Sequence, residues 1–369
     1  MALILNKISA FCGPSQLGAP DDLLNVISTF INEAEDSLEI AVQEIDHPDI
    51  ALVIIDAKRR GVKIRIVLEQ SYMLPSQNAD PSSIDITQPN PGDSHEINRQ
   101  LLSQMLRAGI SLHVDFNEKI FHQKFIIRDG NKVLTGSTNF TITGVTKNFN
   151  HIIIINNHHI AKQYQAEFDE IMAGRFGKNS NYDFKEPKIY DSGNVPVTVL
   201  FAPDHAPEMV IMKQMLKAKE SIKFAIFTFS QSSGIDDTMK VLAKSGISIK
   251  GVMDRSQSNQ SWAAKHNLTN IENIQLWQAG RFNNPTIGKL HHKLMVIDDK
   301  VVIAGSFNYT GPANYINDEN IIQIGSDSQP KNFDDNEWAE ALQNQANIAK
   351  YFSDEIDRII EDDDTVLVV

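Results

Sequence analysis

One pattern of polar residues occurs twice in this chain. The first copy lies in FHQKFIIRDGNKVLTGSTNF and the second in LHHKLMVIDDKVVIAGSFNY. The matching positions are His122, Lys124, Asp129, Gly136, Ser137 and Asn139 in the first copy, and His291, Lys293, Asp298, Gly305, Ser306 and Asn308 in the second. All six recur after a constant shift of 169 residues, which two unrelated hairpins would not share. The chain is therefore predicted to be an internal duplication whose two copies form one site.

Each copy has the pattern of two buried strands joined by a tight turn. Runs rich in Ile, Val and Phe flank Asp-Gly in the first copy and Asp-Asp in the second, which indicates a hairpin. Alternation along a strand places His122 and Lys124 on one face of the first strand, and Ser137 and Asn139 together on the second. The resulting cluster of imidazole, ammonium, hydroxyl and carboxamide groups suits a phosphate oxyanion.

Gly136 and Gly305 precede the serine of each copy. Because glycine lets a backbone approach a substrate closely, both are assigned to substrate binding, together with Ser137 and Ser306. A bend in the strand is the alternative explanation for the glycines. A purely structural hydroxyl is the alternative for the serines.

The doubled pattern resembles the HxKxxxxDxxxxxxGSxN signature of the phospholipase D superfamily, and the resemblance covers both halves of the chain. It implies cleavage or exchange of phosphodiesters without a metal or another cofactor. Such chemistry needs a neutral imidazole that attacks phosphorus and a protonated imidazole that donates to the leaving oxygen. The predicted catalytic residues are His122, Lys124, Asp129, Asn139, His291, Lys293, Asp298, Asn308 and Glu319.

Within this set, the lysines and asparagines are expected to hold the non-bridging oxygens as phosphorus becomes five-coordinate. Asp129 and Asp298 lie too far along the strand to carry protons. They are expected to fix the turn and to affect catalysis indirectly.

A difference between the copies bears on the roles of the histidines. Glu319 follows His291 by 28 residues, and Asn150 follows His122 by the same interval. In the family an acidic residue at this place hydrogen-bonds the motif histidine, so Glu319 is expected behind His291 and Asn150, counted with the binding residues, behind His122. A carboxylate favours imidazolium, which makes His291 the predicted acid and His122 the predicted nucleophile. The alternative is that Asn150 marks a weakened first site in which His122 only assists.

Length and periodicity indicate two domains. A chain of 369 residues with 41% hydrophobic and 22% charged residues exceeds one ordinary globular domain. Helical patterns such as DDLLNVISTFINEAE alternate with strand patterns such as LEIAVQEI in both halves. We predict an α/β protein of two phospholipase D-like αβα sandwich domains, 1–180 and 196–369, with a linker at 181–195. Their mixed, mostly parallel sheets are expected to pack as an intrachain pseudo-two-fold dimer, so a monomer would be catalytically sufficient.

The cysteine count, the apolar runs and the histidine spacing bear on the cellular location and on metal binding. Cys12 is the only cysteine, which excludes an internal disulfide and a cysteine metal cage. No run approaches about 18 apolar residues, and the N-terminus lacks the pattern of a secretory signal, so a cytoplasmic location is expected. The neighbouring histidines His158 and His159, or His291 and His292, would point to opposite faces of a strand, so no metal site is predicted.

The first half also carries about sixteen extra residues before its motif, within a polar, proline-containing segment at 72–98. This segment is predicted to be a loop that walls the cleft, with disorder as the alternative.

Three hypotheses about the substrate remain. A nuclease is favoured, because each half is close to the bare motif domain. The net charge of −13 argues only against a protein that coats nucleic acid. Nucleic acid is then the expected partner, and a protein partner that directs the activity is possible because no DNA-reading motif is visible. A phospholipase or phosphatidyl transferase acting on phospholipid is the alternative, with Trp277 and Phe282 as candidate acyl contacts. The third hypothesis is a non-catalytic scaffold that binds phosphate groups.

Overall fold

The computed structural model describes residues 2–74, 76, 93–117, 119–180, 187–281 and 286–368. The helices in this part of the chain are α1 (Leu23–Asn32), α2 (Pro48–Arg59), α3 (Glu96–Arg107), α4 (Ile142–Thr146), α5 (His158–Met172), α6 (Pro207–Met215), α7 (Ile235–Lys244), α8 (Arg255–Ser258), α9 (Lys265–Leu268), α10 (Gly311–Tyr315) and α11 (Asp335–Ile360).

The strands of the first half are β1 (Leu3–Leu5), β2 (Ile8–Gly13), β3 (Ser37–Val42), β4 (Lys63–Leu68), β5 (Ser111–Val114), β6 (Lys124–Arg128), β7 (Lys132–Gly136) and β8 (Asn150–Asn156). Those of the second half are β9 (Ile189–Asp191), β10 (Pro196–Ala202), β11 (Ser221–Ile226), β12 (Ser248–Asp254), β13 (Ile274–Ala279), β14 (Lys293–Ile297), β15 (Val301–Gly305), β16 (Glu319–Ile324) and β17 (Val366–Leu367).

Local sequence explains where the main helices begin. The side chain of Asp22 accepts a hydrogen bond from the backbone N–H of Asn25, which caps α1. The long closing helix α11 begins with a capping box, in which Asp334 and Glu337 each accept a hydrogen bond from the backbone of the other. Helix α11 is amphipathic and buries one face along its length. None of the described helices has both the length and the apolar character needed to cross a membrane.

The strands form two mixed sheets, one in each half. The first has the order β1-β2-β8-β7-β6-β3-β4-β5 and the second β17-β13-β12-β11-β14-β15-β16-β10-β9. Only β3-β4, β4-β5, β11-β12 and β12-β13 pair in parallel within the described sheets. The prediction of an α/β fold with mixed sheets is confirmed, but the expectation of mostly parallel strands is wrong. Each motif is an antiparallel hairpin inserted in the middle of its sheet, and the following strand continues the antiparallel order.

The two halves share a core. One apolar cluster contains buried residues of both sheets, including Phe125 and Leu294. Two further clusters lie separately in the second and first halves. Helices also contact the opposite half: Tyr164 of α5 packs edge-on against Phe201, with ring centroids 5.2 Å apart. The backbone N–H of Cys12 donates to Tyr351 Oη of α11 at 2.8 Å. The halves therefore form an intrachain pair that buries surface of both.

Backbone hydrogen bonds cross between the halves beside each motif histidine. His122 N donates to Asp318 O at 3.0 Å, and His291 N donates to Phe149 O at 2.9 Å. Asp318 and Phe149 come directly before β16 and β8. Each histidine is thereby tied to the strand of the opposite half, which decides the geometry of the site.

The predicted domain boundaries stay predictions. Strand β9 pairs with β10, so the second sheet includes part of the segment expected as a linker. Residues 181–186 of that segment, and residues 75 and 77–92 of the predicted 72–98 loop, lie outside the described residues. The C-terminal Val366–Leu367 is an edge strand that pairs with β13.

Candidate active site

A cavity of about 710 Å³ lies between the two halves. His122 and His291 both line it, and so do Asn139 and Asn308. The two copies of the motif therefore contribute to one cavity, as the duplication predicted.

The two histidines are held by residues of the opposite half. His122 Nδ1 lies 2.7 Å from Glu319 Oε2, and His291 Nδ1 lies 2.9 Å from Asn150 Oδ1. The expectation that Glu319 backs His291 and Asn150 backs His122 is wrong. The physical reason is the backbone pairing between halves, which places the start of β16 beside the first motif and the start of β8 beside the second.

Ser137 and Ser306 hold these acceptors in place. Ser137 Oγ donates to Asn150 Oδ1 at 2.8 Å, and Ser306 Oγ donates to Glu319 Oε2 at 2.5 Å. Both serines and Asn150 are 0% exposed, so none of them faces the cavity. Their assignment to substrate binding is corrected accordingly: they orient the histidines.

Gly136 and Gly305 allow two strands to approach each other closely. Their φ values are +148° and +151°. A Cβ at Gly136 would lie 2.2 Å from the carbonyl oxygen of His151, and one at Gly305 would lie 2.3 Å from that of Asn320. The close contact is with the neighbouring strand rather than with the cavity. Both glycines therefore have a structural role, a close contact between strands rather than the bend offered as the alternative, and the assignment to substrate binding is wrong.

Lys124 and Lys293 are buried beside the histidines. Lys124 Nζ donates to His122 O and Lys293 Nζ donates to His291 O, both at 2.8 Å. Burial lowers the pKa of Lys124 to about 7. Burial and the nearby Lys124 lower the pKa of Lys293 well below its usual value. An anion bound between the two ammonium groups would restore their charge, so anion binding at this place favours proton uptake.

The histidines are neutral in the free protein near pH 7. Burial lowers the pKa of both rings well below the usual value, and Lys124 and Lys293 lower them further. Burial also raises the pKa of Glu319 to about 8. Lys124 and Lys293 oppose this effect of burial. Because His122 and Glu319 are both buried and 2.7 Å apart, one proton lies between Nδ1 and Oε2; while it is on Nδ1, the ring is neutral with an unprotonated Nε2 and Glu319 is a carboxylate.

Asp129 and Asp298 lie at the other end of the motif strands. Asp129 accepts hydrogen bonds from the backbone N–H groups of residues 35, 36 and 37, at distances from 2.8 to 3.3 Å. Asp298 accepts from those of residues 219, 220 and 221 at 2.8 to 2.9 Å. Both have φ near +50° and fix the turn, as expected. Neither lines the cavity, so counting them as catalytic is corrected.

The two asparagines of the motif present amide groups to the cavity. Asn308 Oδ1 accepts from the backbone N–H of Thr228 at 3.2 Å, which leaves its Nδ2 to donate. Asn139 Oδ1 is buried and has no hydrogen-bond partner among the described residues. Both side chains are therefore placed where an amide N–H can reach a bound oxyanion.

Several residues of the cavity walls lie outside the doubled motif and were not predicted from the sequence. The ring centroid of Phe227 lies 5.0 Å from that of His291, and Lys293 Nζ lies 5.1 Å from the centroid of the Phe227 ring. Glu44 lies on the wall contributed by the first half, and burial raises its pKa to about 7. Trp262 completes the wall contributed by the second half. Phe227 is the first residue after β11 and Glu44 is the second after β3, and their position just beyond two equivalent strands was the signal that could have identified them.

Other candidates lie elsewhere. Trp277 belongs to β13 and packs against the shared core, while Phe282 lies outside the described residues. Among the described residues, Glu167, Glu170 and Asp204 bring carboxylate oxygens within 4.8 Å of one another, as a metal site would require. Glu167 already accepts from Gln123 Nε2 at 3.2 Å and Glu170 pairs with Arg175 at 3.1 Å.

Comparison with protein families identifies the fold. Residues 27–172 and 211–344 each match the family model described as "Cardiolipin synthase, PLD-like domain". The two matches cover more than half of the chain, and each contains one copy of the motif. The chain belongs to the phospholipase D superfamily. The resemblance inferred from the doubled motif is thereby confirmed.

Individual members of the superfamily match parts of the chain. The Xenopus tropicalis protein named mitochondrial cardiolipin hydrolase is 26% identical over 151 residues, which are 41% of this chain and 61% of that protein. The Rickettsia felis protein named phospholipase D is 28% identical over 162 residues, which are 44% of this chain and 68% of that protein. The match to the structure of phosphatidylserine synthase from Haemophilus influenzae Rd KW20 covers 100% of this chain and 88% of that chain, with a TM-score of 0.68 and 11% sequence identity. That likeness supports the tandem fold alone.

Proposed function

We propose that this protein is a metal-independent phosphodiesterase in which His122 attacks phosphorus and His291 protonates the leaving oxygen. The observation that carries the proposal is the crossed pairing in one cavity, where each ring has its Nδ1 held by an acceptor from the opposite half. Such pairing fixes Nδ1–H on both rings and makes Nε2 the reactive nitrogen of each.

The role of His122 follows from Glu319. When Nε2 forms a bond to phosphorus and Nδ1 keeps its proton, the ring becomes cationic. A buried carboxylate 2.7 Å from Nδ1 stabilises that charge as it develops. His122 therefore stays the proposed nucleophile, although the reason first given for its role, a carboxylate behind His291, does not hold.

The role of His291 follows from Asn150. A carboxamide oxygen orients the ring but does not hold its proton as a carboxylate would. Binding of the phosphodiester anion favours the protonated ring. His291 then gives its Nε2 proton to the alkoxide as the bond from phosphorus to the leaving oxygen breaks. In the second half-reaction His291 takes a proton from water, the oxygen of that water bonds to phosphorus, and the bond to His122 breaks.

The other motif groups stabilise the phosphoryl oxygens. The ammonium groups of Lys124 and Lys293 and the amides of Asn139 and Asn308 surround the place where negative charge develops. Because one chain supplies both copies of the motif, a monomer would contain a complete site.

Nucleic acid is the proposed substrate. Tyr72, Phe227 and Trp262 line the cavity and offer flat faces on which bases can stack, and Lys119 and Lys289 line the same cavity as phosphate contacts. Phospholipid is the second candidate. It is supported by the names of the relatives, and by Ile120 and Trp262, which line the cavity and are 44% and 42% exposed.

A substrate panel in excess EDTA tests the proposal. Single- and double-stranded DNA, RNA, bis(4-nitrophenyl) phosphate and phospholipid vesicles should be compared for the unmodified protein, His122→Asn and His291→Asn. We expect cleavage of a nucleic acid and a loss of at least about 10³-fold in each variant. When the reaction is stopped by denaturation without acid, the phosphoryl group that stays covalently bound to the protein should be found on His122. Cleavage of vesicle lipid with intact nucleic acid would select the second candidate, and activity as high in both variants as in the unmodified protein would refute the site.

A further inference from the structure

A second layer of crossed pairs lies directly behind the active site. Gln123 and His292 each follow a motif histidine, and Asn320 and His151 each follow the residue that holds a histidine. Asn320 Nδ2 donates to Gln123 Oε1 at 2.7 Å. At the equivalent place, His151 Nδ1 lies 3.1 Å from His292 Nδ1, and the planes of the two rings differ by only 5°. The same junction between halves is thus made by two amides on one side and by two imidazoles on the other.

The surroundings of the two junctions differ in charge. Gln123 Nε2 donates to Glu167, and burial raises the pKa of that carboxyl well above its usual value, so a negative charge is disfavoured on this side. His292 Nε2 lies 3.4 Å from Glu355 Oε1 of α11. Burial acts to raise the pKa of Glu355, but the hydrogen bonds from Arg358 and the neighbouring His292 lower it overall. This side therefore carries a carboxylate.

The other titratable groups near the two imidazoles are Lys293, Arg358 and Cys12. Lys293 and Arg358 disfavour a positive charge on His292, and Lys293 does so on His151. Cys12 pairs with His151 through β2 and β8, and burial raises the pKa of its thiol, so it stays neutral.

The contacts assign the protons of the pair. His292 Nε2 lies 3.4 Å from the Glu355 carboxylate without the alignment of a hydrogen bond, and the negative charge favours a hydrogen on this nitrogen, which leaves Nδ1 of that ring as an acceptor. His151 then donates its Nδ1–H, and its own Nε2 is unprotonated. That Nε2 is buried without a hydrogen-bond partner among the described residues. A second proton would have to enter an interior with no acceptor for it at this nitrogen, which is costly.

A chain of a few hydrogen bonds connects this pair to the active site. His151 N donates to Ser137 Oγ at 3.0 Å, and Ser137 N donates to His151 O at 3.1 Å. Ser137 Oγ donates in turn to Asn150 Oδ1, which holds His291. A displacement of His151 therefore reaches the orienting group of His291 through one residue.

We propose that His151 and His292 are positioning residues for His291: the neutral pair holds Asn150 in place, and protonation of the pair in acid separates the rings and loosens this half of the site. The effect on catalysis rests on the proposed role of His291, whereas the linkage between protons and stability does not. The amide junction at Gln123 and Asn320 carries no such proton dependence.

The direction of the pH effect follows from burial. In the unfolded chain both histidines take up a proton below about pH 6.5. In the folded chain burial lowers the pKa of both rings. The unfolded state therefore binds more protons below about pH 6.5, and the contribution of the pair to stability is lost as the pH falls through this range.

The test replaces the imidazole junction with the amide junction that the chain already contains. In the double variant His151→Asn with His292→Gln, unfolding should be followed by urea titration from pH 5 to 8. We expect the number of protons taken up on unfolding near pH 5.5 to fall by up to two relative to the unmodified protein. The control His158→Asn with His159→Gln removes two exposed histidines and should leave that number unchanged. Equal proton uptake in the double variant and the unmodified protein would overturn the proposal.

The pH profile of kcat separates positioning from mere packing. The double variant should keep kcat within about twofold at pH 8 and lose less activity than the unmodified protein between pH 6.5 and 5. An unchanged acid limb together with reduced proton uptake would refute the positioning role. Absence of all phosphodiesterase activity would instead contradict the proposed function and leave the proton count to decide the linkage.

Nitrogen-15 spectra of the histidine rings provide a measurement that needs no stable variant. At pH 7.5 the pair should give one Nδ1–H and one Nε2–H tautomer. Two Nε2–H tautomers for these residues would contradict the assignment and the proposal with it.

Discussion

Glu319→Gln tests the electrostatic part of the mechanism with little change in shape. The substitution removes one negative charge behind His122 and keeps an oxygen that can accept from Nδ1. Ser306 Oγ can still donate to that oxygen. The change therefore isolates the charge from the hydrogen bond.

The expected size of the effect follows from the distance. With Nδ1 and Oε2 separated by 2.7 Å, the centres of the ring charge and the carboxylate charge lie about 4 Å apart. At an effective dielectric constant of about 20 their attraction is about 4 kcal/mol. If this attraction exists only once the ring has become cationic, its loss slows the first step by about 10³-fold.

The assay is single-turnover cleavage in excess EDTA, with trapping of the phosphohistidine. A matched control is Glu167→Gln, which also removes a buried carboxyl group beside the first motif. Burial raises the pKa of Glu167 and its contact is Gln123 rather than a motif histidine, so the control should stay within about tenfold of the unmodified protein. A Glu319→Gln variant that keeps a rate within tenfold, with an unchanged free energy of unfolding, would refute the charge argument. Trapping on His291 would reverse the roles.

Three further predictions concern the supports of the site. Gly136→Ala should destabilise the fold by about 3 kcal/mol or more, because its Cβ would overlap the carbonyl of His151, and chemical denaturation measures this. Asp129→Ala should cost about 3 kcal/mol through the loss of its backbone acceptor role, while kcat per folded molecule stays constant in active-site titration. With a pKa of about 7, Glu44 becomes anionic as the pH rises through neutrality and then repels a phosphodiester. The KM of the unmodified protein should therefore rise across this range, and the KM of Glu44→Gln should rise less. A denaturation midpoint unchanged in Gly136→Ala, a lowered kcat in Asp129→Ala, or parallel KM profiles for Glu44→Gln would each contradict the corresponding argument.

The doubled motif by itself determined the family, the α/β class and the convergence of His122 and His291 on one cavity. These features depend on local patterns: strand alternation puts residues two apart on one face, and the repeat brings equivalent strand ends together. The role of Asp129 and Asp298 in the turn was also accessible, since their distance along the strand from the histidines excludes proton transfer.

Tertiary structure decided which residue holds which histidine. The interval of 28 residues from His291 to Glu319 suggested a contact within one copy. Backbone pairing between the two halves instead places Glu319 beside His122. Likewise, sequence leaves open whether Gly136 faces a ligand or a strand, and the close approach of His151 in the folded protein answers it. Periodicity reports which side chains are buried, whereas the partner of a buried polar group depends on how two separate sheets pack against each other.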